Sequence, residues 1–369
     1  MAARTETVFI TGATGLVGGP ALARLLEADP ALRAAVLVRD TTRWAWTATR
    51  LGLAADRVAP VVGDLLLPGL GLDTVAHARL ARDVTAVIHA AAAIRFWRPL
   101  EAARAVNVEG TRRVLELASA WPHTRRLAFV STAYVAGCRT GRILERDGGA
   151  GAGWVNSYEQ SKYEAEQLVR AGGCEWVILR PTTIVCDSPA GTISQANSVH
   201  LALRLLYHGL VPMMPGSETT RVDVVRTDYV SDAIARLALR DDVAGKILHL
   251  CAGERALPLG ELLELTWGAW SADARWLRKR IPPPVLADLE TYALFERSVE
   301  ATGDEPLKRA LRSLSHFVPQ LAYAKRFDTT QADAALGVPA PAVRTFWARM
   351  SDHLLSVRWP ELRRAEVAA

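Results

Sequence analysis

A short apolar run and a glycine-rich turn open the chain, in the order Val8-Phe9-Ile10-Thr11-Gly12-Ala13-Thr14-Gly15-Leu16-Val17-Gly18. The run predicts a buried strand, and the pattern from Pro20 to Leu26 predicts the helix that the turn opens. Glycines spaced G-x-x-G-x-x-G permit a tight turn, a close approach of backbone N–H groups to phosphate, and close packing of helix on strand. The positive helix N-terminus favours an anion. The stretch therefore predicts a dinucleotide-binding turn, against the alternative of an ordinary strand-to-helix turn.

Strand-like and helix-like segments alternate after this turn. Further apolar runs occur at 34–38, 58–62, 84–89, 126–131, 175–179 and 246–250, with helical stretches such as Pro99–Ala120 and Tyr158–Ala171 between them. Continuous apolar strands in a βαβ alternation indicate a parallel sheet that is covered on both faces. We predict an α/β fold with a Rossmann-type, doubly wound sheet over residues 1–250. A smaller, mostly helical substrate domain is expected from 251–369, with a contribution from 186–226.

Composition narrows the classes of partner. The 369 residues carry a net charge of +5, and the one local basic cluster (275–280) has no aromatic residues at stacking spacing, so no nucleic-acid partner is indicated. The four cysteines lack metal-ligand spacing, and no metal site is expected. No apolar stretch reaches about 18 residues, and the first strand begins too early for a signal peptide. We therefore expect a cytoplasmic protein without a transmembrane span, and the oligomeric state stays open, a homodimer included.

The end of the second predicted strand bears on the choice of cofactor. It reads Leu37-Val38-Arg39-Asp40. A carboxylate at this place holds a ribose 2′-hydroxyl, whereas a cation suits a 2′-phosphate. Arg39 therefore favours NADP(H), with Arg43 or Arg50 as a second cation, over the NAD alternative that Asp40 offers.

Two other strand ends carry candidate cofactor contacts. Asp64, followed by Leu65, ends the third strand, where its carboxylate would accept from an adenine amino group. The fourth strand ends in the small residues Ala90, Ala91 and Ala92, which let a cofactor pass over the backbone. His89 is predicted to be a packed strand-end residue rather than a catalyst.

The strongest catalytic signal is the pair Tyr158 and Lys162. Residues i and i+4 share one face of a helix, so the Lys162 ammonium is expected to lower the pKa of the Tyr158 phenol and to hold a nicotinamide ribose. The alternative is that Tyr158 and Lys162 form an ordinary exposed pair on a helix surface, with no catalytic role. Thr132, or else Ser131, would polarise a substrate carbonyl from the end of the fifth strand. Asn107 would anchor a water of the proton path, or simply bond to the backbone.

Together these residues resemble an extended short-chain dehydrogenase/reductase. Within that superfamily, five stretches are similar to the thioester-reductase and fatty acyl-CoA reductase branch, the male-sterility type of NAD-binding protein: 88–96 (IHAAAAIRF), 130–137 (VSTAYVAG), 156–166 (NSYEQSKYEAE), 178–185 (ILRPTTIV) and 222–230 (VDVVRTDYV). The resemblance covers roughly residues 6–250. It favours Thr132 over Ser131 as the carbonyl-binding residue, and it implies that Pro181 and Thr183 line the nicotinamide. Cys186 and Arg226 depart from the branch, which usually has Gly and Pro there.

The resemblance implies an NADPH-dependent reductase that transfers hydride to a carbonyl. An acyl thioester, bound to coenzyme A or to a carrier protein, is the first expectation, with an aldehyde and then an alcohol as products. One enzymatic alternative is a ketone or hydroxyl oxidoreductase acting on a sterol- or polyketide-like substrate. Another is a nucleotide-sugar epimerase or dehydratase. A non-enzymatic alternative is an NADP-binding regulatory protein.

Overall fold

A seven-stranded parallel sheet lies at the centre of the molecule, in a computed structural model that describes residues 6–149, 151–357 and 359. Its strands are β1 (Thr7–Thr11), β2 (Arg33–Val38), β3 (Val58–Val62), β4 (Ala86–His89), β5 (Arg126–Val130), β6 (Glu175–Pro181) and β7 (Ile247–Leu250). Their order across the sheet is β3-β2-β1-β4-β5-β6-β7, and every neighbouring pair is parallel. All seven predicted runs are strands of this sheet, which confirms the doubly wound fold. The chain order reverses between β1 and β4, the point at which such sheets bind ligands.

Helices surround the sheet and continue into the C-terminal third of the chain. In chain order they are α1 (Gly18–Ala28), α2 (Thr41–Arg50), α3 (Thr74–Asp83), α4 (Leu100–Asn107), α5 (Glu109–Ala120), α6 (Ser157–Ala171), α7 (Ser198–Tyr207), α8 (Thr227–Leu237), α9 (Leu259–Trp270), α10 (Ala274–Lys279), α11 (Leu289–Glu300), α12 (Glu305–Leu314), α13 (Thr330–Leu336) and α14 (Arg344–Ser356). Short two-stranded pairs join Thr183–Cys186 to Val224–Arg226, Arg221–Val222 to Leu257–Pro258, Met213–Pro215 to Val285–Ala287, and Gly141–Ile143 to Lys325–Phe327.

Each face of the sheet has its own apolar core. Side chains alternate along β1, so Val8 and Ile10 pack with α1, α2 and α8 on one face, while Phe9 packs with α3, α5 and α6 on the other. Both faces are thus buried, as the near-continuous apolar strands predict. Burial of this kind fixes the carboxyl edge of the sheet, where β1, β4, β5 and β6 all end.

A third core lies among the remaining helices. It joins Leu203 and Met214 from the middle of the chain to Leu262, Trp270 and Trp347 from the C-terminal third. The tail does not belong wholly to this core, because Ala332 and Leu336 of α13 pack with the sheet residues beside α8. Among the described residues, no helix combines the length and the hydropathy that a bilayer crossing needs.

One predicted helix is two. The stretch 99–120 divides into α4 and α5 at Val108, whose φ and ψ are −94° and −59°. The hydroxyl of Thr111 donates to the carbonyl oxygen of Asn107 at 2.6 Å, which supplies that carbonyl with a side-chain partner at the break. Asn107 consequently ends α4 at the edge of the site instead of lying within one long helix.

Candidate active site

The turn between β1 and α1 is shaped for close approach of a ligand. Gly12 has φ +78°, and a Cβ atom there would lie 2.6 Å from the backbone nitrogen of Ala91. A Cβ atom at Gly18 would lie 2.5 Å from the carbonyl oxygen of Gly12, so neither position has room for a side chain. α1 starts after Val17, which cannot cap it, and its first turn holds no acidic residue. Its leading N–H groups are therefore available to an anion.

A polar cavity of about 500 Å³ lies beside this turn. Its lining combines the turn residues Thr14, Gly15 and Leu16 with three arginines, Arg24, Arg43 and Arg50. Guanidinium groups and helix N-termini are the groups that bind phosphate oxygens best. The cavity therefore fits the phosphates of a dinucleotide. Its other lining residues are Pro20, Trp46, Thr47, Asp187, Ser194, Gln195, Thr227, Asp228 and Ser231.

The end of β2 separates the two cofactor alternatives. The Asp40 carboxylate caps α2, where it accepts from the backbone N–H groups of Thr42 at 2.8 Å and Arg43 at 3.0 Å. Arg39 is exposed at the same end of the strand and lies outside the lining of the polar cavity. The Asp40 carboxylate is thus engaged in capping α2, whereas the Arg39 side chain faces solvent at the position where a 2′-phosphate is recognised.

Two predicted adenine-side contacts lie at the end of β3. The Asp64 carboxylate accepts from the backbone N–H of Leu66 at 2.9 Å, which fixes a tight turn. Leu65 is buried under α5, since a Cβ atom at Gly110 would lie 3.2 Å from the Cβ of Leu65. Leu65 therefore acts through packing at this point.

Tyr158 and Thr132 come together at the carboxyl edge of the sheet. Tyr158 lies in the first turn of α6, which Asn156 caps by accepting from the Glu159 N–H at 3.0 Å. Thr132 lies two residues beyond the end of β5, where its hydroxyl accepts from the backbone N–H of Tyr134 at 3.3 Å and faces the Tyr158 phenol. By contrast, the hydroxyl oxygen of Ser131 is buried without a partner among the described residues. The geometry agrees with Thr132 as the hydroxyl beside the phenol.

Lys162 is buried on the same helix but does not act on Tyr158 as predicted. Its ammonium donates to the carbonyl oxygen of Val130 at 2.8 Å and lies 3.9 Å from the ring centre of Phe129. Burial lowers the pKa of the Lys162 ammonium to about 7, although the Glu166 carboxylate raises it. Burial also raises the pKa of the Tyr158 phenol to about 12, partly offset by its hydrogen bond with Thr132. In this structure the Tyr158 pKa thus lies above its ordinary value, with desolvation as the largest cause, while the Lys162 ammonium is bonded to the Val130 carbonyl.

Asn107 links the segment that follows β4 to α6. Its side-chain oxygen accepts from the N–H of Ala93 at 2.7 Å. Its amide group donates to the carbonyl oxygen of Ala93 at 3.1 Å and to the hydroxyl of Ser161 at 2.9 Å. Both amide hydrogens are used, and the oxygen keeps one lone pair free of these bonds. Most hydrogen bonds of the Asn107 side chain are thus to backbone, as the alternative to a water-anchoring role predicts.

His89 is a packed strand-end residue, as predicted. It is fully buried and hydrogen-bonded to the hydroxyls of Thr11 at 2.6 Å and Thr111 at 3.0 Å. Burial lowers the pKa of its imidazole to about 3, so the ring stays neutral at physiological pH. It braces β1 and α5 behind the glycine turn.

An apolar cavity of about 130 Å³ adjoins Tyr158 on the side of the helical region. The predicted residue Thr183 also lines it, and its hydroxyl donates to the phenol oxygen of Tyr134 at 3.3 Å. Pro181 is buried at the end of β6, two residues earlier. The cavity is otherwise lined by Phe96, Asn156, Glu159, Ser198, Val199, Ala202, Leu203, Leu206, Met214, Val222, Val224, Leu259, Leu262, Leu263, Phe317, Val318, Gln320, Leu321 and Trp347.

Glu159, next to Tyr158, ties the C-terminal segment to the site. Its buried carboxylate accepts from the N–H of Val155 at 3.1 Å and from the side-chain amides of Asn156 at 3.0 Å and Gln320 at 2.5 Å. The Gln320 oxygen in turn accepts from the ammonium of Lys325 at 2.7 Å. Burial raises the pKa of Glu159 to about 7 and lowers that of Lys325 to about 8.

The Glu159 carboxyl gives a pH prediction. Between pH 4.5 and about 7 the unfolded carboxyl has lost its proton while the folded one keeps it, so the contribution of Glu159 to the free energy of unfolding falls as pH rises through this window. Urea unfolding at pH 5 and at pH 8 measures this contribution. The change in unfolding free energy between the two pH values is expected to differ between Glu159→Gln and the parent by on the order of 2 kcal/mol. Equal pH dependence in the variant and the parent would contradict this. Lys325 titrates above the window.

Comparisons with known proteins agree with this geometry. The profile of the NAD-binding family described as "Male sterility protein" matches residues 10–234, well over half of the chain. The chain belongs to this family. A solved terminal R domain from the myxalamid PKS-NRPS biosynthetic pathway is 26% identical, with a TM-score of 0.77, over 99% of this chain and 92% of that one. This male sterility family protein is thus an NAD(P)-dependent oxidoreductase of the extended short-chain type, as the sequence predicts.

Curated relatives of this male sterility family protein are much longer. The hybrid PKS-NRPS synthetase gkaA of Penicillium citrinum is 30% identical over 273 residues, which are 70% of this chain and 6% of that protein. The L-2-aminoadipate reductase large subunit of Penicillium chrysogenum is 27% identical in an alignment of 378 positions that covers 90% of this chain and 25% of that protein. This chain therefore spans only a small part of either relative.

Arg24, Glu159 and Tyr134 are among the residues at the site that were not predicted from the sequence. Arg24 lines the polar cavity from α1. The only sign of this in the sequence is that Arg24 follows Pro20 by four residues, which places both on the same face of the helix. Glu159 and Tyr134 stand directly beside predicted residues, but both look like ordinary members of their segments. Only the folded chain shows that Tyr134 meets Thr183 and that Glu159 meets Gln320.

Proposed function

We propose that this protein reduces an acyl thioester with NADPH, giving an aldehyde and, with a second hydride, an alcohol. The observation that carries the proposal is the Tyr158 phenol, which faces the Thr132 hydroxyl and lines one of two unlike cavities. On one side lies the arginine-lined cavity at the glycine turn, and on the other lies an apolar cavity suited to an acyl group. The acyl group would arrive on coenzyme A or on a carrier protein.

The chain's own residues would divide the chemistry as follows. The turn Gly12–Gly18, Asp64, the backbone of Ala90–Ala92, Pro181 and Thr183 would hold the dinucleotide, which supplies the hydride when bound. Thr132 and Tyr158 would hydrogen-bond the substrate carbonyl oxygen, so that negative charge developing there is stabilised. Tyr158 would then donate its phenolic proton to that oxygen.

The proton delivered by Tyr158 must be replaced. Lys162 is placed one helical turn away, and its lowered pKa of about 7 makes it able to give and take a proton at neutral pH. The free lone pair of the Asn107 oxygen would accept from a water that continues the path to solvent. With a thioester, addition of hydride to the carbonyl carbon and of the proton to its oxygen would give a hemithioacetal. Its C–S bond would then break, with the hydroxyl proton passing to sulfur, to leave the aldehyde and a free thiol.

We also propose a division of labour along the chain. Residues 1–250 would form the NADP-binding domain, and 251–369 with 186–226 would form the substrate region. The separate core that joins Leu203 to Trp347 supports this division. α13 would be the exception, since it packs on the sheet.

Arg39 gives a prediction for the choice of cofactor. Arg39→Ala is expected to weaken NADPH binding by roughly 10- to 100-fold, the value of one charge-assisted hydrogen bond, and to leave NADH binding unchanged. Fluorescence titration of both nucleotides measures this. Arg33→Ala, at the opposite end of β2 and also exposed, is the matched control. Equal weakening of NADPH and NADH by Arg39→Ala would contradict a 2′-phosphate contact.

The proposed reaction is tested by following NADPH absorbance with acyl thioesters, and with matched aldehydes and ketones in parallel. Thioester-dependent oxidation is the expected result. Oxidation with aldehydes or ketones alone would make the protein an ordinary carbonyl reductase. Nucleotide binding without oxidation of NADPH by any substrate would favour a regulatory role.

A further inference from the structure

The apolar cavity is lined by residues from two parts of the molecule. Tyr158 and Thr183 contribute the side at the carboxyl edge of the sheet, and Leu262 and Trp347 contribute from α9 and α14. Trp347 is buried, and its indole N–H donates to the hydroxyl of Thr266 at 2.9 Å. That hydroxyl donates to the carbonyl oxygen of Leu262 at 2.7 Å, so the indole is held in place by α9. The wall it forms is therefore anchored to α9 through Thr266.

The volume of this cavity limits what it can hold. A cavity of about 150 Å³ lined by Leu, Ile and Phe is known to accept benzene. The present cavity, at about 130 Å³, is slightly smaller and is likewise lined mainly by aliphatic and aromatic side chains. About six non-hydrogen atoms therefore fill the cavity beyond the reacting carbonyl, and the rest of a sixteen-carbon chain would have to extend outside it.

Several polar side chains of the lining are already engaged, and Ser198 adds one further hydroxyl to it. Asn156 and Gln320 both donate to Glu159, and the hydroxyl of Thr183 donates to Tyr134. A charged or amide-bearing acyl group would have to break these bonds or stay unpaired, and either costs free energy. An apolar acyl group meets mostly carbon on the remaining walls, where Ser198 is the one further polar side chain of the lining.

We propose that the substrate's acyl group is compact and apolar, with about six carbon atoms, and that Trp347 and Ala202 set its length. This inference rests on the proposed thioester reduction. Ala202 lines the cavity from α7 as its smallest apolar side chain, so enlarging it fills space without removing an existing contact. Trp347 is the largest lining side chain, so trimming it makes space.

The test is kcat/KM for saturated acyl-CoA thioesters of two to sixteen carbons, in the parent and in two opposed variants. In the parent, kcat/KM is expected to rise about fourfold for each added methylene up to about six carbons and to fall beyond. Ala202→Leu is expected to move the optimum to shorter chains, and Trp347→Phe to longer ones. Trp276→Phe is the matched control, since Trp276 is buried in the same aromatic cluster but does not line the cavity. Melting temperatures confirm that each variant is folded.

The outcomes separate the inference from the function on which it rests. Reduction that is fastest with sixteen carbons, or a profile that Ala202→Leu leaves unchanged, overturns the inference and leaves thioester reduction standing. Faster reduction of an aminoacyl thioester than of hexanoyl-CoA also overturns it. Failure to oxidise NADPH with thioesters of every length overturns the proposed function and the inference with it.

Discussion

Tyr158→Phe is expected to lower kcat for carbonyl reduction by about 10³-fold, the usual contribution of one general acid, while NADPH affinity stays unchanged. The phenylalanine ring keeps the contact with Phe96, whose ring centre lies 5.6 Å away, so the cavity wall is preserved. Only the phenolic hydroxyl, which faces Thr132, is lost with its proton. Steady-state kinetics and nucleotide titration separate the two effects.

Tyr163→Phe is the matched control for this prediction. Tyr163 lies on the same helix but faces Trp154, with the ring centres 5.4 Å apart. Its phenol has no part in the proposed site, so turnover is expected to stay at the parent level. Undiminished turnover in Tyr158→Phe would contradict the assignment of Tyr158 as the proton donor.

Glu166→Ala is expected to cost about 3–5 kcal/mol of folding free energy, the largest stability effect predicted for a single side chain. Arg180 is buried at the end of β6 and makes two bonds to the Glu166 carboxylate, at 2.9 Å and 2.6 Å. Its remaining nitrogen donates to the carbonyl oxygens of Glu145 and Asp147. Without Glu166 the guanidinium stays buried with no opposite charge in that place.

Urea unfolding measures this cost, and Glu164→Ala is its matched control on the same helix. Glu164 pairs with Arg104 at 2.7 Å in a partly exposed position. Such pairs contribute about 0–1 kcal/mol, so the control is expected to unfold close to the parent. A loss below 1 kcal/mol in Glu166→Ala would show that the buried pair can be dispensed with.

The fold followed from local patterns in the sequence. Each of the seven strands is a continuous apolar run, and the glycines of the first turn stand where a Cβ atom would meet backbone. Such features depend on near neighbours in the chain or on burial alone, and both leave a direct trace in the sequence. The break at Val108 left none, because it depends on a side chain bonding to backbone one turn earlier.

The functional site was harder to predict from the sequence wherever it is formed by segments that lie far apart along the chain. The spacing of Tyr158 and Lys162 gave their shared helix face, but it did not show that Lys162 is desolvated against Val130 and Phe129. The contact between Glu159 and Gln320 joins residues 161 positions apart, and no local pattern predicts it. The tail's aromatic residues likewise gave no sign that Trp347 lines a cavity while Trp276 does not.

Product analysis tests thioester reduction most directly. The protein would be incubated with hexanoyl-CoA and NADPH carrying deuterium at the transferable position, and the products analysed by mass spectrometry. We expect free coenzyme A together with hexanal bearing one deuterium, or hexanol bearing two. Recovery of unlabelled hexanoyl-CoA, while the same preparation reduces hexanal, would contradict thioester reduction and leave an aldehyde reductase.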